Sequence, residues 1–123
     1  MATDDVPPFP SLTRLHERHY GLTEALTKCY AEGAAICLQA HHTSPNIVNV
    51  SADQEGAQDY VVQWDEPSER QLAAWNNRSD AIRDAAYPIA IAAAEVHLGL
   101  FVVARAPQGS GADYLVGSQR YDP

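Results

Sequence analysis

The stretch IAIAAAEVHLGLFVVARAPQGSGADYLVG, residues 89–117, decides how this chain folds. Its first ten residues are apolar on nearly every side, apart from Glu95 and His97. That composition predicts a deeply buried helix, ended by Gly99 acting as a C-terminal glycine. The next residues, Phe101 to Arg105, are β-branched and aromatic and read as a strand. Pro107 to Gly111 is a turn, and Asp113 to Val116 a second strand. A helix followed by a hairpin is therefore the unit to look for elsewhere.

It recurs upstream. From Leu12 the residues Leu15, His19, Leu22, Leu26, Cys29, Gly33, Ile36, Cys37 and Ala40 fall at steps of three and four, the spacing of an amphipathic helix. Gly21 is a break point near its start, and Thr43-Ser44-Pro45-Asn46 stops it after His42. Ile47 to Val50 and Asp59 to Trp64 then read as antiparallel strands around a polar turn. Asp65-Glu66-Pro67-Ser68-Glu69 starts a second helix carrying Leu72, Trp75, Ile82, Ala86, Ile89, Ala93 and Val96. Pro88 lies inside it and predicts a kink or a break, since proline removes one helical hydrogen bond.

The expected order is helix, strand, strand, helix, strand, strand. The fold class is α+β: an antiparallel sheet of about four strands with two long helices packed on it. Residues 1–10, with three prolines and two aspartates, read as a flexible arm, and residues 11–123 as one domain. Gly56-Ala57-Gln58-Asp59-Tyr60-Val61-Val62 parallels Gly111-Ala112-Asp113-Tyr114-Leu115-Val116 with one deletion, so an αββ duplication is one reading of the two halves.

The 123 residues carry 16 acidic and 8 basic side chains, a net charge of -8. Such a surface repels phosphate backbones, so no direct nucleic-acid partner is expected. It suits a protein partner, a basic one in particular. Cys29 and Cys37 lie about 12 Å apart along a helix, too far to bridge, and imply a reducing cytoplasm. The acidic, proline-rich start does not fit a secretory leader, and Glu95, His97 and Pro88 interrupt the longest apolar run, so no membrane association is expected. The Asn77-Arg78-Ser79 sequon then has no meaning. An open sheet has two exposed edges, from which a homodimer is expected.

The chemistry-bearing residues are few. Glu95 is an acid on an apolar helix, and Asp113 opens the strand that follows the next one. Two carboxylates sharing a hard cation can activate water. The bland alternatives are a buried acid held by an arginine or tyrosine hydroxyl, with Arg105 as a candidate, and a turn residue bonding local amides. Cys37 and His41 share a helical face and offer two metal ligands, where a structural zinc needs four. His41 and His42 also suit a helix C-terminus. HERH at 16–19 lacks metalloprotease spacing, and GSG at 109–111 precedes a strand rather than a helix, so it does not cradle phosphate. Trp64 and Trp75 flank the second helix start as core or interface anchors. No cofactor is expected.

The order of Glu95, the strand Phe101–Arg105 and Asp113 resembles the metal-binding half of the restriction-endonuclease-like (PD-D/E-x-K) nucleases, over residues 85–119. The run AAYPIAIAAAEVHLGLFVVARAPQGSGADYLVG also resembles a segment of small bacterial conflict and defence proteins. The resemblance implies Glu95 and Asp113 as metal ligands. The family's acid-x-lysine pair has no counterpart, because no lysine follows Lys28 and the chain stops ten residues after Asp113. What the resemblance implies is a truncated or accessory relative. Two functions follow from this reading: a non-catalytic, immunity-like or accessory interaction module of a bacterial defence or secretion system, or a metal-dependent nuclease-like subunit using Glu95 and Asp113.

Overall fold

The computed structural model describes residues 5–76 and 78–123. A 3-10 helix (Leu12–Glu17) is followed by α1 (Glu24–His41), β1 (Asn46–Ala52), β2 (Gly56–Val62), α2 (Glu69–Ala74), α3 (Arg78–Leu98), β3 (Phe101–Arg105) and β4 (Tyr114–Gly117). The α+β class holds, and both hairpins fall where the alternation of β-branched residues puts them. The long helices α1 and α3 pack on each other. Leu15, Leu22, Tyr30, Ala34, Ile91 and Val102 are among the buried residues of the core between them and the strands.

The single four-stranded sheet is not formed. Among the described residues β1 pairs with β2 and β3 with β4, giving two separate two-stranded antiparallel sheets. Other segments of the chain line two of the strand edges. The carbonyl of Pro7 accepts from the Val61 amide (2.9 Å), and the Phe9 amide donates to the Val61 carbonyl (2.8 Å). Residues 7–9 thus run beside β2 as a short parallel bridge. Val6 and Phe9 are buried, so this part of the expected loose arm is docked. Its prolines suit that edge position, where amide donors are not all needed.

The edge of β3 facing away from β4 is covered as well. The Gly21 amide donates to the Val102 carbonyl (3.1 Å). A Cβ on Gly21 would stand 2.7 Å from both the Ala104 nitrogen and the Val102 side chain. Only glycine allows so close an approach, which is why the expected first helix is interrupted here. The residues before Gly21 form the separate 3-10 helix, and α1 restarts behind Thr23, whose hydroxyl accepts from the Leu26 amide.

The expected second helix is likewise two. Ser68 and Gln71 form a reciprocal capping box at the start of α2, which stops at Ala74. The sequon position Asn77 lies outside the described residues. α3 runs through Pro88 without interruption, and Pro88 is fully buried. The carbonyl of Asp84 loses its helical partner there, a cost that the surrounding packing offsets. Gly99 closes α3 with a φ of 65°; its amide donates to the Glu95 carbonyl and that of Leu100 to the Ala94 carbonyl, the left-handed helix end that glycine favours. The segment 89–98 is less deeply buried than its composition suggests: Ile91 and Ala92 are buried, but Leu98 is 44% exposed. Among the described residues, no helix is long and apolar enough to cross a membrane.

Each long helix is followed by its own hairpin, and each hairpin fastens to the other half. The Tyr60 hydroxyl on β2 bonds His97 of α3 (3.2 Å). The Tyr114 hydroxyl on β4 bonds the Tyr30 hydroxyl of α1.

Candidate functional site

Glu95 sits on the inner side of α3, and both its carboxylate oxygens are engaged. Arg18 Nε donates to Oε2 at 2.6 Å, and His19 Nε2 lies 2.7 Å from Oε1. Arg18 is further held by its other two guanidinium nitrogens, which donate to the carbonyls of Arg14 (3.2 Å) and Ser11 (3.0 Å). The Val102 amide donates to His19 Nδ1 at 2.9 Å. That contact fixes the tautomer, because Nδ1 must accept and the ring proton therefore sits on Nε2, donating to Glu95. Val102 thus gives its amide to His19 and its carbonyl to Gly21.

The side chains of Arg18 and Glu95 are only 12% exposed and that of His19 is not exposed at all. Burial pushes the Glu95 carboxyl up, but hydrogen bonds from His19 and Arg18, with the guanidinium charge, outweigh it and hold the group below the ordinary carboxylate range. The buried-acid reading of Glu95 is thus the one the geometry supports, with Arg18 rather than Arg105 as its arginine. What the arrangement does chemically is to tie the 3-10 segment, α3 and β3 into one charge-neutral unit.

Asp113 is exposed at the hairpin turn. Its carbonyl accepts from the Ala106 amide (3.0 Å), and no hydrogen bond or ion pair joins it to Glu95. Cys37 is half-buried in α1 and His41 exposed in its last turn. Among the described residues, no cluster of three or more histidine, cysteine, aspartate or glutamate side chains could hold a metal ion. Burial, aided by Asp84 and Glu32, pushes the Cys29 thiol up, which disfavours the nucleophilic thiolate. Trp64 and Trp75 both tie down α1. Trp64 Nε1 donates to Gln39 Oε1 (2.9 Å) and Trp75 Nε1 to Glu32 Oε1 (3.0 Å). The Trp75 ring covers Gly33, where a Cβ would stand 3.0 Å from it.

Two features were not read from the sequence. The first is an aromatic–arginine cluster joining α1, α3 and the second hairpin. Tyr30 stacks on Tyr87 at 5.6 Å, and Tyr87 meets Tyr114 edge-on at 5.6 Å. The Arg105 guanidinium lies 5.5 Å from the Tyr87 ring and 4.8 Å from that of Tyr114, and donates to the Tyr114 hydroxyl (3.1 Å). Burial, followed by the contact with Tyr114, pushes the Tyr30 phenol up. The second is an open groove of about 850 Å³ between the docked arm, α1 and the end of β2, with Phe9, Lys28, Glu32, Trp64 and Gln71 in its walls. Spacing alone flags His19, a polar residue on the apolar line of the first helix. Nothing local flags its partners.

Charge is divided unevenly between the hairpins. Residues 46–62 hold Asp53, Glu55 and Asp59 and no basic residue. Residues 98–119 hold only Arg105 and Asp113. The protein is thus an α+β molecule with an acidic hairpin, a neutral hairpin and a buried ionic clamp. It matches no family model, no curated protein and no solved structure.

Proposed function

We propose that this protein is a non-catalytic docking module, an acidic accessory or immunity-like protein of a bacterial conflict, defence or secretion system, whose partner is a basic protein. One observation carries the reading: Glu95, the acid placed on the apolar helix, has both oxygens committed to Arg18 and His19. A metal ion there would have to displace an arginine and a histidine held within the fold, and break a low-dielectric ion pair to do so. The acidic first hairpin supports the choice of partner, since three carboxylates without a counter-ion among residues 46–62 steer and dock a basic surface.

Two measurements test this. Thermal melting with manganese or magnesium is expected to show no upward shift; a shift abolished by Asp113→Ala, with cleavage of DNA or RNA, would establish the nuclease-like subunit instead. The immobilised protein is expected to retain basic proteins at low salt, and the triple variant Asp53→Asn, Glu55→Gln, Asp59→Asn to lose them. Undiminished retention by the triple variant would remove the acidic hairpin from the docking surface.

A further inference from the structure

The two sheets have four outer edges, and two are sealed within the chain. Residues 7–9 cover β2, and the 19–21 turn covers β3 through both backbone groups of Val102. β1 and β4 remain, each paired on one side only among the described residues. An unpaired edge is a template for another strand. A two-stranded sheet is marginal by itself and gains from further strands.

Charge separates the two open edges. A second copy of this chain arrives with a net charge of -8. At the β1 hairpin it would meet three carboxylates and no cation, so like would face like. At the second hairpin the single arginine and single aspartate balance. Apolar exposure points the same way. Leu115 and Val116 on β4 are 44% and 48% exposed, and Val103, carried outward at a bulge in β3, is 40% exposed. The first hairpin shows only Ile47 at comparable exposure among its large hydrophobics. At this apolar edge stands Arg105, held by two tyrosine rings and in no ion pair with any of the described residues. A rigid arginine among tyrosines, bordered by aliphatic side chains, is the composition of an interface anchor, and its charge attracts an acidic copy.

We propose that two copies of this chain associate through the β3–β4 hairpin, antiparallel along the outer edge of β4, with Leu115, Val116 and Arg105 at the contact. A two-fold axis at β4 makes the contact self-complementary and converts two two-stranded sheets into one four-stranded sheet across the dimer. The proposal does not depend on the docking function. A monomer that still binds a basic partner would overturn the dimer alone, and a dimer that binds none would overturn the docking reading alone.

The test is sedimentation velocity over a concentration series, with circular dichroism to follow the fold. The wild type and Ile47→Lys are expected to reach twice the 13.4 kDa chain mass. Leu115→Lys and Val116→Lys are expected to raise the dissociation constant by roughly tenfold or more. A lysine lowers the net negative charge and by itself favours association, so loss of the dimer in these variants reports the edge and not general repulsion. A wild type that stays monomeric overturns the proposal, as does a dimer indifferent to both β4 lysines or one lost in Ile47→Lys. Should a lysine variant misfold, amide exchange of the wild type decides. Protection at residues 115–117 that rises with protein concentration supports the contact, and protection independent of concentration refutes it.

Discussion

Glu95 is where one residue matters most. Replacing it with glutamine keeps the side chain's size but leaves Arg18 charged and 12% exposed without a counter-ion. Removing one member of a buried pair costs about 3 kcal/mol, so Glu95→Gln should lower the urea midpoint accordingly. Acidity provides a second readout. The folded carboxyl lies below its ordinary value of 4.5, so the native state favours the ionised form. This contribution is complete above that ordinary value and is lost as pH falls through the lower, folded value. Wild-type stability should therefore drop on acidification below about pH 4.5, and Glu95→Gln should lose that share of the acid limb while the other carboxylates keep theirs. An unchanged acid limb in the variant would show that the clamp is not ionic. The sequence made Glu95 visible as an acid in an apolar run. It could not supply Arg18 and His19, which lie 77 and 76 positions away and meet it only after the chain turns at Gly21.

Elements were legible where period and punctuation agree. Both hairpins, the end of α1 near His42 and the glycine stop after α3 could all be read from neighbouring residues. Edges could not, because what lies beside a strand is decided by segments distant in sequence. The arm shows this most clearly: three prolines suggested looseness, yet the same prolines leave Phe9 placed to bury its ring near Tyr60, 6.2 Å away. Phe9→Ala should cost about 3 kcal/mol, as for other buried phenylalanines. It should also speed exchange of the Val61 amide, whose acceptor is the Pro7 carbonyl. Unaltered exchange there would mean that the arm adds nothing to β2.

For the molecule as a whole, two separate hairpins stand in place of the expected single sheet, one flanked by the arm and the other by the 19–21 turn. The overall charge of -8 was plain from composition, but its division into an acidic and a neutral hairpin emerged only once the strands were paired. That division makes salt a diagnostic. At physiological ionic strength, charges farther apart than about 8 Å are largely screened. Adding salt should weaken capture of a basic protein, which relies on attraction, and strengthen self-association, which works against the repulsion of two acidic chains. Salt effects of the same sign on both equilibria would contradict the assignment of the two surfaces. Both can be followed by sedimentation of the same preparation.

The hydrogen bonds that His19 and Gly21 make to Val102 carry one more consequence. With the far side of the second hairpin stoppered in this way, a strand added along β4 would leave that sheet no open edge at which a third chain could repeat the addition. Growth of that sheet would then stop at a pair, and an otherwise tempting β-ribbon would be kept from extending into a filament.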